Sequence, residues 1–193
     1  PLPFYVKHHI TNYFRFRFWN ANSKEVFTCV FSIKPLLKNG NEMILSDFSC
    51  DTVFSYGKNG FEPLLVRTPA PRSTFPLKLM AISFRSERFL FLNVTEKVYK
   101  QNMKKFDGDS YVYDYQTKEI YTPIVIDSDY SLELSVEINN TRGNFPKNIS
   151  ASYISSRKLI QYYREGNLQG RVREIASRLI RDDIYVLVLY HFN

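Results

Sequence analysis

The chain has 193 residues, 26 Lys and Arg against 19 Asp and Glu, and a net charge of +7; at this length a sizeable core is affordable, and 16 Phe with 14 Tyr exclude a disordered polymer. Two cysteines, Cys29 and Cys50, are too few for a disulfide scaffold, a zinc site or a CxxC pair and are expected as reduced, buried thiols. No apolar run approaches the roughly 20 residues of a membrane helix, and the basic excess favours phosphate-rich partners.

Phe14-Arg15-Phe16-Arg17-Phe18 alternates ring and guanidinium, the period of a strand with three Phe facing the core. Residues 25–33 form its partner, and Asn20-Ala21-Asn22-Ser23 supplies the hairpin turn. Lys38-Asn39-Gly40-Asn41 and Tyr56-Gly57-Lys58-Asn59-Gly60 mark two more turns between short strands. Three prolines within residues 67–76 predict an extended loop, and the like composition on either side places it inside one α+β domain spanning 1–193.

Residues 77–84 and 89–94 read as strands. Thr95-Glu96 then opens a short basic helix carrying Lys97, Lys100, Lys104 and Lys105. Residues 111–115, 120–126 and 130–138 give three further strands, the last with Leu132, Leu134, Val136 and Ile138 on one face and Glu133 and Glu137 on the other. Residues 139–150 are a polar loop. Ser155-Ser156 caps a helix running to Tyr163 or Arg164, which Gly166 ends in a left-handed turn. Leu168, Val172, Ile175 and Leu179 define the buried stripe of a second helix, flanked by Arg171, Arg178 and Arg181. Residues 184–192 close the chain as a strand apolar enough for burial on both faces. The fold class is therefore α+β: a mainly antiparallel sheet, two C-terminal helices and a final buried strand.

Catalytic signatures are missing from the chain: there is no GxSxG, Walker, GxGxxG, HExxH or CxxC pattern. His8 and His9 are adjacent on an extended terminus and would face opposite ways, and His191 is expected as a satisfied structural histidine. The acidic pairs at Asp107-Gly108-Asp109, Asp127-Ser128-Asp129 and Asp182-Asp183 occupy turn positions. Neither catalysis, nor a metal, nor a cofactor is expected. The sequons at Asn93, Asn139 and Asn148 are read as accidental, and the start at Pro1 as a processed or truncated terminus. Rings interleave with cations at residues 13–19, 85–88 and 156–164, an arrangement that serves either sheet packing or base stacking beside phosphates.

Thr122-Pro123-Ile124, the segment Ser131-Leu132-Glu133-Leu134-Ser135-Val136-Glu137-Ile138, a polar loop, a Ser-Ser-capped helix with Arg164-Glu165, more helix and an apolar end with His191-Phe192-Asn193 follow in order. Over residues 120–193 this succession resembles the C-terminal region of rhabdovirus matrix proteins of the vesiculovirus kind. The chain has no PPxY or P[ST]AP motif. The resemblance implies a non-enzymatic, self-associating virion protein, peripheral on the membrane or in host cytoplasm, that binds nucleocapsid RNA and anionic lipid. Candidate contacts are Arg157, Lys158, Arg164, Arg171 and Arg178, with Lys97, Lys100, Lys104 and Lys105 as a second patch. The alternative is a nucleic-acid-binding module of a larger assembly, such as a ribosomal or capsid component.

Overall fold

Alternating apolar and polar residues build most of the chain into antiparallel ladders, and two helices follow near the C-terminus, an α+β fold. The structure is a computed structural model and describes residues 14–20, 25–31, 35–47, 50–96, 108–127, 129–130, 138, 146–180 and 184–192. β1 (Phe14–Asn20) and β2 (Glu25–Phe31) form the expected hairpin, in a register that sets Phe14, Phe16 and Phe18 opposite Phe31, Cys29 and Phe27.

β3 (Leu36–Asn39), β4 (Glu42–Leu45), β5 (Thr52–Gly57) and β6 (Gly60–Val66) make a four-stranded meander turned at the two Asn-Gly sites. Gly40 and Gly60 take positive φ there, which glycine adopts without a Cβ penalty. After the proline segment, whose only regular piece is a 3₁₀ turn over Pro71–Ser73, β7 (Lys78–Arg85), β8 (Phe89–Glu96), β9 (Gly108–Asp114) and β10 (Ile120–Tyr121) form a second meander.

β8 lies in the middle of the packing. Leu90 and Leu92 meet Leu37, Ile44 and Val53 of the first meander, together with Ile82. Phe91, on the opposite face, joins Phe84, Val112 and Ile138, against which Tyr190 and Phe192 pack. The second meander is thus a middle layer with a core on each side.

β7 serves both cores through a register shift between Ile82 and Phe84. Side chains two apart on a strand share a face, so Ile82 and Phe84 would otherwise point the same way. With Ser83 as the extra residue, Ile82 stands opposite Leu92 and Phe84 opposite Phe91, in different cores. The buried Ser83 hydroxyl donates to the Phe91 carbonyl at 3.3 Å.

The C-terminal ribbon pairs β11 (Ile149–Ser155) with β12 (Tyr185–His191). The inner-face residues Ile154 and Val186 carry α1 (Ser156–Arg164) and α2 (Gly170–Arg178), whose Leu159 and Ala176 are buried with Leu168 between them. Ser155 caps α1 as expected, its hydroxyl accepting from the Lys158 amide at 3.3 Å, and Gly166 ends the helix at φ 75°. Asn148 ties the ribbon to the middle layer: its Oδ1 accepts from Glu87 N at 2.6 Å and its carbonyl from Phe192 N at 2.9 Å.

Several expectations are corrected. β12 is present, but Tyr185, Leu187 and Leu189 are exposed and Val186, Val188 and Tyr190 are half-buried, so the final strand is covered in part and on one face only. Residues 149–155 form a strand that the sequence does not announce, its first two residues falling in the loop expected over 139–150, because alternating serines dilute its apolar signal. Ala176 rather than the exposed Ile175 completes the α2 stripe. Thr95 and Glu96 continue β8 instead of capping a helix. The ladder over 120–126 stops at Tyr121, two residues before Pro123, which has no N–H to donate. Cys50 is reduced but only half-buried, and the His191 side chain is exposed and makes no hydrogen bond among the described residues. The turn at 21–24, the helix over 97–105 and the strand over 131–137 lie outside the described residues.

Deleting Ser83 removes the bulge and still sets Ile82 opposite Leu92, Phe84 opposite Phe91 and Arg85 opposite Leu90 by plain alternation, so unfolding in urea is expected to stay cooperative. Ser83→Ala keeps the extra residue and should cost only about 1 kcal/mol for the lost hydroxyl bond. Leu90→Ala, at a fully buried position, should cost about 2–5 kcal/mol.

Candidate anion-binding site

Cations differ in how they are partnered. Lys38, Lys58, Arg72 and Lys118, scattered over separate strands and turns, are in no ion pair among the described residues. Four others in or beside the sheets are matched: Arg85 donates to Glu42 at 2.8 Å, Lys147 meets Glu87 at 3.6 Å and Lys78 meets Glu96 at 3.8 Å. Arg88 sends both Nε and Nη2 to one oxygen of Asp114, at 3.1 and 2.8 Å. That hydrogen bond raises the Arg88 pKa and, as the largest effect on its partner, holds Asp114 below the usual carboxylate range. The interleaving of rings and cations at residues 85–88 is therefore sheet packing: Arg85 also lies 5.7 Å from the centre of the Tyr115 ring, and Arg88 4.9 Å from that of Phe89.

Arg67 is buried at the base of β6, where it donates through Nη2 to Ser46 at 3.3 Å. Burial pushes its pKa down to about 10, against the pull of Cys50, Asp47 and Asp51, so it stays charged at neutral pH. It is committed to the fold.

The helices differ. Between residues 156 and 180 stand Arg157, Lys158, Arg164, Arg171, Arg173 and Arg178 against only Glu165 and Glu174. All six cations are exposed and none is in an ion pair among the described residues. Glu165 is occupied by amide donors, from Gln161 at 2.8 Å and Asn167 at 3.0 Å. Lys158 lies 5.4 Å from the centre of the Tyr162 ring.

Spacing organises these charges. Arg157 with Arg164, and Arg171 with Arg178, are each seven residues apart, two helical turns or about 10 Å along one face. At that separation in water two like charges repel by about 0.4 kcal/mol before screening, so the fold tolerates the cluster at low cost. A further cost lies at the helix starts. Neither helix has an acidic residue in its first turn, while Arg157, Lys158, Arg171 and Arg173 sit there, toward the positive end of the helix dipole. By the usual magnitude this opposes the helices by about 0.3–1 kcal/mol per cation at low salt.

Sequence reasoning named Arg157, Lys158, Arg164, Arg171 and Arg178, and the structure brings them onto one packed helix pair. It missed Arg173, which lies on the other flank of α2 and so outside the Arg171–Arg178 stripe. Lys97, Lys100, Lys104 and Lys105 lie outside the described residues.

A concavity of about 500 Å³, lined by Ser86, Glu87, Arg88, Tyr115, Gln116, Asn148 and Phe192, is an open groove beside the Arg88 that pairs with Asp114. Its cation is already neutralised. Asp127 has a structural task, its Oδ1 accepting from Asp129 N at 3.0 Å. Among the described residues no three His, Cys, Asp or Glu side chains gather as a metal set, and no helix is long and apolar enough to cross a membrane. Comparison with known proteins finds no matching family model, curated protein or solved structure.

Since Asp114 is held low by Arg88, the unfolded chain binds more protons than the native one in mild acid. The pair's stabilisation is full above the unfolded carboxylate value near 3.9 and is lost as pH falls through the lower native value. Thermal melts over about pH 2 to 6 should show this acid limb flattened in Asp114→Asn, which should also melt earlier at pH 7.

Proposed function

We propose that this chain is a non-enzymatic, matrix-type viral structural protein that self-associates and binds nucleocapsid and anionic membrane through the basic face of α1 and α2. The observation that carries the reading is the clustering of charge: six exposed cations lie on one packed helix pair with no ion-pair partner among the described residues. Cations held at helix starts, where they oppose the dipole, are relieved when an anion arrives. Phosphates of RNA and of lipid headgroups both supply that anion.

Self-association has its own support. On the outer face of the first meander Leu36, Tyr56 and Phe61 are each about half exposed, with the Tyr56 and Phe61 ring centroids 4.7 Å apart. Apolar clusters of this kind mark contact surfaces between proteins.

The competing reading, a nucleic-acid-binding module of a larger assembly, is favoured by Tyr163, which is exposed next to Arg164 and offers a ring to a base.

Sedimentation with phosphatidylserine liposomes and with single-stranded RNA, each at low and high salt, separates these readings. Salt-sensitive pelleting with liposomes, together with concentration-dependent assembly, is expected; binding to RNA alone would favour the nucleic-acid module, and binding to neither would overturn the charge argument. The Arg157→Glu/Arg164→Glu/Arg171→Glu/Arg178→Glu variant should weaken binding and lower the slope of log affinity against log salt by roughly one per contact removed. Its urea midpoint should scarcely move, since Glu at 157 and 171 in the first turns gains from the helix dipole about what Glu at 164 and 178 in the last turns loses.

A further inference from the structure

Antiparallel ribbons that pack on one side place polar residues on the other, and the β11–β12 ribbon does not. Its inner face holds Ile154, Val186 and Tyr190 against the two cores. On its outer face Tyr153 pairs with Leu187, Ser155 with Tyr185, Ala151 with Leu189 and Ile149 with His191. Those eight positions include no Lys, Arg, Asp or Glu. Tyr153 is 46% exposed, Tyr185 66%, Leu187 46% and Leu189 44%, so the large side chains of this face are in water.

The ends of the face decide its occupant. The Ser156 amide donates to the Ile184 carbonyl at 3.2 Å, which pins the first turn of α1 beside the start of β12. Exposed Arg157 and Lys158 therefore adjoin Ile184, 72% exposed, and Tyr185. A polyanion gains nothing from an uncharged apolar strip. A neutral protein partner gains nothing from unpaired cations at its rim. The boundary of an anionic bilayer takes both, with Tyr and Leu at the headgroup–acyl level and Arg and Lys on phosphates.

We propose that the outer face of the β11–β12 ribbon, through Tyr153, Tyr185, Leu187 and Leu189, enters the interfacial layer of an anionic bilayer while Arg157 and Lys158 engage its phosphates. This rests on the reading that the helix pair binds phosphate-rich surfaces and adds an apolar, salt-resistant component to it.

The test uses the full chain with vesicles of phosphatidylcholine alone or mixed with phosphatidylserine. Leu187→Ser/Leu189→Ser should reduce partition onto the mixed vesicles by about tenfold or more, from the apolar area withdrawn, and leave RNA pelleting unchanged. In Tyr185→Trp, acyl-brominated lipid should quench the introduced indole beyond the Trp19 background of the wild type. Wild-type binding to mixed vesicles with no quenching and no loss in the double variant would overturn insertion and leave the phosphate reading standing. Binding to RNA but not to vesicles would do the same. A double variant that changes a dimer to a monomer in analytical ultracentrifugation, with vesicle binding intact, would assign the face to a second copy and overturn the proposal. Wild-type binding to neither ligand would remove both readings together.

Discussion

The rest of the packing depends on how β7 accommodates one extra residue, Ser83. The middle meander must serve a core on each face, and β8 does so by plain alternation, with Leu90 and Leu92 on one side and Phe91 on the other. In β7 the ladder shifts at Ser83, and that shift carries Phe84 to the second core. The same shift decides the electrostatics. It directs Arg85, paired with Leu90, toward the face where Glu42 waits, and keeps a guanidinium out of the Phe84–Phe91–Phe192 ring cluster. An unpaired charge in that cluster would cost several kcal/mol, far more than a bulge. With Ser83 in the chain, the bulge is thus the cheaper arrangement.

Through that ring cluster the C-terminal ribbon acquires its place. Phe192 packs 4.9 Å from Phe84 and 5.3 Å from Phe91, and its amide is held by the Asn148 carbonyl. Asn148 sits at φ 70°, a conformation asparagine tolerates better than most residues, and from there its side chain reaches Glu87 on the β7–β8 turn. A chain of contacts therefore runs from Ser83 through Phe84, Phe192 and the ribbon to Ile154 and Val186, on which the basic helices rest. The helix face is borne by rigid elements, as a surface presenting charges at fixed spacing requires.

Legibility followed the strength of local signals. The hairpins at Gly40 and Gly60, the Ser155 cap and the Gly166 stop were readable because turn and cap chemistry depends on a few adjacent residues. β11 was hidden, since Ile149-Ser150-Ala151-Ser152-Tyr153 carries no clean alternation; its serines are placed by tertiary packing, with Ser150 buried. The reading of β12 as buried on both faces failed for a related reason. Its composition suits a central strand, but burial depends on neighbours elsewhere in the chain. Of the site, the five named helix cations were legible as residues but not as unpaired ones. Arg85 and Arg88 look the same in sequence, and only the fold separates them, by placing Glu42 and Asp114 within 3 Å.

That separation bears on why the helices carry charge at all. Pairing an exposed Arg with a carboxylate contributes at most about 1 kcal/mol, so leaving six cations unpaired forfeits little stability. Placing four of them in first turns opposes helix formation, and the two helices rely instead on Leu159, Leu168 and Ala176 for their hold. Local preference is contradicted and tertiary packing makes up the difference. Conflicts of this kind concentrate where a surface is shaped by what it meets rather than by folding. The uncharged outer face of the ribbon beside them is a second such conflict, because solvent would favour polar residues there as strongly as it would favour carboxylates on the helices.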